Sequence, residues 1–125
     1  MGNERKKLIV VDDNIENLTA LKSTLKSIYE VYPCPSALKM FDLMKHVQPH
    51  LILLDVEMPE MNGYEAIQKL KSDDKFREIP VIFLTAMIDD ESKKKGLGLG
   101  AVDYILKPFN AVSLLQQLET HLSSS

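Results

Sequence analysis

Leu51-Ile52-Leu53-Leu54-Asp55-Val56-Glu57-Met58-Pro59 sets a short, unbroken apolar run directly before a carboxylate and a turn. A run this short, with no period-two alternation, reads as a strand covered on both faces. Three similar runs lie on either side of it: Leu8-Ile9-Val10-Val11, Val81-Ile82-Phe83-Leu84 and Tyr104-Ile105-Leu106, with a weaker fifth strand at Glu30 to Cys34. The segments between them carry helical spacing: Leu18, Leu21, Leu25, Ile28; Ala37, Met40, Phe41, Met44; Ile67, Leu70; Ala111, Leu114, Leu115, Leu118, Leu122. Asn14, Ser36, Asn62 and Asn110 stand where helix N-caps belong, and Pro80 precedes a strand, where a missing N–H costs least.

Strand and helix therefore alternate five times with short connections. Right-handed crossovers then give an α/β fold, a doubly wound parallel sheet with helices on both faces, and a flavodoxin-like strand order 2-1-3-4-5 is expected. The 125 residues suit one domain, 1–125, able to bury a core without staples. A net charge of −3 gives no electrostatic reason to bind nucleic acid, and no apolar run approaches the roughly 18 residues of a membrane span. The lone cysteine, Cys34, cannot close an intramolecular disulfide, and Met1 to Lys7 lack a signal peptide's apolar stretch, so a cytoplasmic location is expected.

The residues that follow the strands carry the chemistry: Asp12 and Asp13 after the first, Asp55 after the third, Thr85 after the fourth and Lys107 after the fifth. In an open parallel sheet these positions share the carboxyl edge, where ligands of doubly wound folds bind. Each alone is an ordinary polar strand end. Together they bring carboxylates into one place, and two of them about 4 Å apart repel by roughly 4 kcal/mol at an effective dielectric of about 20. A hard divalent cation relieves that repulsion, and Mg²⁺, which takes oxygen ligands and retains waters, suits it best. His46, His50, His121 and Cys34 lack transition-metal spacing, which argues against zinc.

Val11-Asp12-Asp13, Leu54-Asp55-Val56-Glu57-Met58-Pro59, Asn62-Gly63, Leu84-Thr85-Ala86 and Gly100-Ala101-Val102-Asp103-Tyr104-Ile105-Leu106-Lys107-Pro108-Phe109 resemble the response regulator receiver domain across essentially the whole chain. The resemblance implies a phospho-accepting switch of a two-component phosphorelay, not an enzyme, in which Asp55 receives a phosphoryl group from a phosphohistidine. It implies that Asp13, Asp55 and the Glu57 backbone carbonyl ligate Mg²⁺, with Asp12 holding a metal-bound water, and that Lys107 pairs with a phosphoryl oxygen. Thr85 would swing toward the phosphoryl group, with the Ala86 N–H approaching it. Tyr104 would turn inward as the loop after Thr85 shifts, changing the surface around the fourth helix, fifth strand and fifth helix. Glu57 and Met87 flank the site as positions that tune phosphorylation lifetime, and Lys107-Pro108 is expected to be a cis peptide bond. The implied partners are a sensor histidine kinase or histidine phosphotransfer protein, a downstream effector domain or protein, and a second copy on phosphorylation.

Three other readings bear on the same residues. A magnesium-dependent phosphatase or phosphotransferase would also use Asp55 as nucleophile, but it would want a shorter acid than Glu57 and residues for a substrate cap. A binding module with the same fold but no phosphorylation would not need the full acceptor set. A flavodoxin is disfavoured because Asp12-Asp13-Asn14 would repel a flavin phosphate. Gly96-Leu97-Gly98-Leu99-Gly100 precedes a strand and so is no dinucleotide loop. Asp89-Asp90-Glu91-Ser92-Lys93-Lys94-Lys95-Gly96 poses the one difficulty for the pattern: between Ile88 and Leu97 no apolar residue occurs, so the fourth helix lacks a core-facing stripe. Loose docking follows, with residues 87 to 99 the most mobile part of the domain.

Overall fold

The computed structural model describes residues 5–86 and 89–122. Strands β1 (Lys7–Val11), β2 (Glu30–Cys34), β3 (Leu51–Asp55), β4 (Val81–Thr85) and β5 (Asp103–Leu106) alternate with helices α1 (Ile15–Leu25), α2 (Ala37–Leu43), α3 (Gly63–Lys71), α4 (Asp90–Gly98) and α5 (Ala111–Leu122). All strand pairs are parallel and the order is β2-β1-β3-β4-β5, as the sequence pattern predicts. The central strands are sealed on both sides: Leu8 to Val11, Leu51 to Leu54 and Val81 to Leu84 are all buried. The edge strands are not, which explains why β2 reads weakly and why Pro33 is tolerated in it.

The alternation of side chains divides the core in two. On one face Ile9, Val11, Ile52, Leu54, Val81 and Phe83 pack against Ala37 and Met40 of α2 and Ala66, Ile67 and Leu70 of α3. On the other, Leu8, Val10, Leu51, Leu53, Ile82 and Leu84 meet Leu18, Leu21 and Leu25 of α1 and Leu114 and Leu118 of α5. Ile28, expected on the apolar stripe of the first helix, lies beyond the end of α1 and is exposed. Asn14, Ser36 and Asn62 each accept a backbone N–H of the following turn, and Asn110 accepts that of Ser113. Asn62 and Glu65 complete a reciprocal capping box at the start of α3.

Helix α4 forms despite its missing stripe, opened by Asp89, whose carboxylate accepts the Ser92 N–H at 2.7 Å. It docks through an absence of side chain. Gly96 is the buried residue of α4, and a Cβ built on it would lie 1.8 Å from the Tyr104 hydroxyl oxygen. The Tyr104 ring occupies that notch, packs at a tilt against Phe83 with ring centres 5.7 Å apart, and its hydroxyl donates to the Ser92 carbonyl. Outside the notch the helix offers charge and the half-exposed Leu97. Native-state hydrogen exchange is therefore expected to be faster in α4 than in α3, which buries Ala66, Ile67 and Leu70. Equal protection of the two helices would contradict this. Met87 and Ile88, the first residues of the segment expected to be mobile, lie outside the described residues.

Candidate functional site at the carboxyl edge of the sheet

Because the strands are parallel, their carboxyl ends share one edge, and the polar residues that follow them meet there. Asp55 is the last residue of β3, in register with Leu84. Asp12 continues β1 by one step, its N–H donating to the Cys34 carbonyl at 3.1 Å, and Lys107 continues β5, its N–H donating to the Thr85 carbonyl at 2.8 Å. The carboxylates of Asp12, Asp13 and Asp55 each place an oxygen within 4.8 Å of the others. Among the described residues this is the group of His, Cys, Asp and Glu side chains suited to hold a metal ion. Lys107 Nζ bridges two of them, at 2.9 Å from Asp12 Oδ2 and 3.1 Å from Asp55 Oδ1. Thr85 and Ala86 complete a cleft of 220 Å³, with Glu57 exposed at its rim.

Burial divides the acids by role. Asp12 has no solvent-exposed surface and Asp55 is 4% exposed, whereas Asp13 is open to solvent. Burial, and next the charge of Asp12, push the Asp55 carboxyl up to about 7, against the pull of Lys107. For Lys107 the balance goes the other way. Burial would lower it, but the hydrogen bond to Asp12 and the charges of Asp55 and Asp12 outweigh this and hold the ammonium above its usual range. A pocket that raises a carboxyl so far favours a proton or a cation, and three hard oxygen donors fit Mg²⁺. Binding of the cation requires the ionised carboxylate. Apparent Mg²⁺ affinity is accordingly expected to fall about tenfold between pH 8 and pH 6, approaching tenfold per pH unit below that. A pH-independent affinity measured by calorimetry would contradict it.

The loop after Asp55 is fixed by glycine. The Gly63 N–H donates to the Val56 carbonyl at 2.8 Å, and a Cβ at Gly63 would stand 2.4 Å from the Asp55 carbonyl oxygen. The first turn of α3 therefore rests directly on the backbone of the strand end that carries Asp55. From the sequence, Gly63 reads as part of the Asn62-Gly63 family pattern near a helix start, with no sign of this close approach. Asn17 carries no functional signal in the sequence, yet its side-chain amide donates to Asp12 Oδ2 at 3.2 Å.

The remaining expected residues fall as follows. Tyr104 is inward and buried, its ring between Gly96 and Phe83. The Lys107-Pro108 peptide bond is cis. Met87 lies outside the described residues. His121 Nε2 contacts Asp103 Oδ2 at 2.9 Å, and His50 Nδ1 accepts the Lys7 N–H at 2.9 Å. Cys34 is buried, its thiol pushed up to about 11 by burial.

An open parallel sheet that gathers three carboxylates, a hydroxyl and a lysine at its carboxyl edge is built as a phosphoryl-accepting α/β switch. The sequence matches the response regulator receiver domain over residues 8–119, and the chain belongs to that family. It is a phospho-acceptor switch of two-component signalling, a regulatory domain rather than a catalytic one. It is 35% identical to a probable cyclic di-GMP phosphodiesterase of Vibrio cholerae over 94% of this chain and 26% of that protein. It is 32% identical to the polar-differentiation response regulator DivK of Brucella anthropi, covering 96% of this chain and 98% of DivK. Against solved structures it superposes on chemotaxis protein CheY4 of Vibrio cholerae with a TM-score of 0.90 at 28% identity, covering 94% of this chain and 99% of CheY4. The beryllofluoride-activated receiver domain of DrrB, a Thermotoga maritima protein, gives 0.86 at 33% identity, over 95% and 98% of the two chains. The receiver domain of a Pseudomonas aeruginosa sensor histidine kinase, with magnesium coordinated in its active-site cleft, gives 0.86 at 26% identity, over 95% and 98%. The chain spans about an eighth to a half of the length of the longer curated relatives it matches. No helix among the described residues is long and apolar enough to cross a membrane.

Proposed function

We propose that Asp55 is the phospho-acceptor and that the pocket around it works with Mg²⁺. The observation that carries this reading is the Lys107 ammonium bridging Asp12 and Asp55 inside a cluster of three carboxylates. A carboxylate oxygen of Asp55 attacks the phosphorus of a phosphohistidine, the P–N bond breaks, and the imidazole leaves with a proton. Asp13, Asp55 and the Glu57 backbone carbonyl would hold the metal, with Asp12 reaching it through water. When bound, the ion offsets the negative charge gathered between acceptor and donor. Lys107 turns from the carboxylates to a phosphoryl oxygen. Thr85 and the Ala86 N–H meet the other oxygens.

The output is read on α4, β5 and α5. Tyr104 already lies in the Gly96 notch, so the equilibrium of this switch is set by how firmly Gly96, Phe83 and the Ser92 carbonyl hold that seat. Glu57 and Met87 tune the lifetime; the exposed Glu57 carboxylate at the rim acts by repelling an anionic donor or positioning water. Residues 1–125 act as a single receiver unit in the cytoplasm. The donor is a sensor histidine kinase or a histidine phosphotransfer protein, and an effector domain or protein, or a second copy of the phosphorylated chain, receives the signal.

Incubation with Mg²⁺ and acetyl phosphate, followed by intact mass, tests the chemistry. One phosphoryl adduct is expected, absent with a chelator and absent from Asp55→Asn. An adduct that persists in Asp55→Asn would refute the assignment, as would continuous turnover of a phosphomonoester without a stable adduct. Unchanged phosphorylation and dephosphorylation rates in Glu57→Ala would remove the tuning role of that residue.

A further inference from the structure

Asp12 is the most enclosed acid of the pocket, and its partners are asymmetric. Its Oδ1 accepts the Asn14 N–H at 2.9 Å. Its Oδ2 accepts from two side chains, Lys107 Nζ at 2.9 Å and Asn17 Nδ2 at 3.2 Å. A carboxylate can only accept, so the NH₂ of Asn17 must be the end turned toward it. Asn17 stands in the first turn of α1, and its backbone N–H is tied to the Asn14 side chain at 2.9 Å. Capping of the helix thus uses the backbone of Asn17 and leaves its side chain for Asp12.

Resting on the reading that Lys107 moves to a phosphoryl group on Asp55, we infer that Asn17 is a positioning residue that holds the Asp12 carboxylate while the lysine leaves it. The ammonium cannot turn fully to a phosphoryl oxygen without stripping a charge-assisted bond from a carboxylate that has no exposure to bulk solvent. Asn17 lowers that penalty, because its amide stays on Oδ2 and fixes the orientation of the carboxylate. Its influence on the phosphoryl site therefore runs through Lys107. A residue that served only to fold the helix start would act whether or not the lysine were present.

Beryllofluoride, a phosphoryl analogue, titrated into the full chain at saturating Mg²⁺ and followed by backbone amide NMR, reads this hand-over at equilibrium. The wild-type titration tests the phospho-acceptor reading first. If no beryllofluoride binds there, that reading fails and the inference falls with it. Given wild-type binding, Asn17→Leu is expected to weaken beryllofluoride about tenfold while changing Mg²⁺ affinity by less than about threefold. In a Lys107→Ala background the same substitution is expected to change beryllofluoride affinity by less than about twofold. Equal losses in both backgrounds would overturn the inference, as would no loss when Lys107 is present. Should Asn17→Leu fail to fold, Asn17→Ala, which lets water reach Asp12, gives the same comparison with an expected loss of about threefold.

Discussion

Gly63→Ala is expected to destabilise the protein by about 3 kcal/mol, an unusually large loss for adding one methyl group. On helix propensity alone the change should help, by up to about 1 kcal/mol. The geometry decides otherwise. The added carbon would sit 2.4 Å from the Asp55 carbonyl oxygen and 2.9 Å from the Val56 Cα, and both obstacles are backbone, which cannot rotate aside. Either α3 lifts from the sheet, exposing Ala66, Ile67 and Leu70, or β3 shifts at the residue that carries the acceptor carboxylate. Urea denaturation measures the stability, and the acetyl phosphate reaction should slow in parallel. A Gly63→Ala protein as stable as wild type would show that α3 does not rest on the strand end as described.

Lys107→Ala is expected to cost the metal-free protein about 2 kcal/mol at pH 8, less than a fully buried ion pair because the lysine side chain is 21% exposed. The cost should roughly halve at pH 5.5. The sign follows from Asp55, whose folded carboxyl is raised to about 7 by burial and by Asp12. A carboxyl raised on folding contributes stability that is present below the ordinary carboxylate range and lost as pH rises through about 7. Removing the lysine takes away the cation that offsets this loss, so the penalty grows where Asp55 is ionised. At low pH only the pairing with Asp12 is missing. Saturating Mg²⁺ should restore much of the stability at pH 8. An equal penalty at both pH values would mean that Lys107 and Asp55 are not coupled.

The fold was legible because three central strands are apolar on both faces, a pattern that leaves few architectures, and because Asn14, Ser36, Asn62 and Asn110 punctuate the helix starts. The acid pocket was legible for a related reason: polar residues at the ends of parallel strands have one edge to share. What escaped was whatever depends on shape rather than polarity. Helix α4 seemed to have nothing with which to dock, since hydrophobic periodicity records knobs and not holes. Its contact is the missing Cβ of Gly96 under the Tyr104 ring. Gly63 belongs to the family pattern, but its reason was hidden in the same way, a close approach to Asp55 that no spacing rule encodes. Asn17 was hidden by its type, because an asparagine in the first turn of a helix reads as solvated surface until Asp12 is placed beneath it. Ile28 misled in the opposite direction, continuing the period of α1 past the point where the backbone leaves the helix.

The central claim is that residues 12, 13, 55, 85 and 107 surround one cation site. Substituting Mn²⁺, which takes the same oxygen ligands, and recording paramagnetic broadening of the backbone amides tests it without any reaction. Amides around Asp12 and Asp13, Asp55 to Glu57, Thr85 and Ala86, and Lys107 should broaden together at one Mn²⁺ concentration and recover together on adding Mg²⁺. Broadening that spares the amides around Thr85 or Lys107, or that centres on acids elsewhere on the surface, would contradict the account.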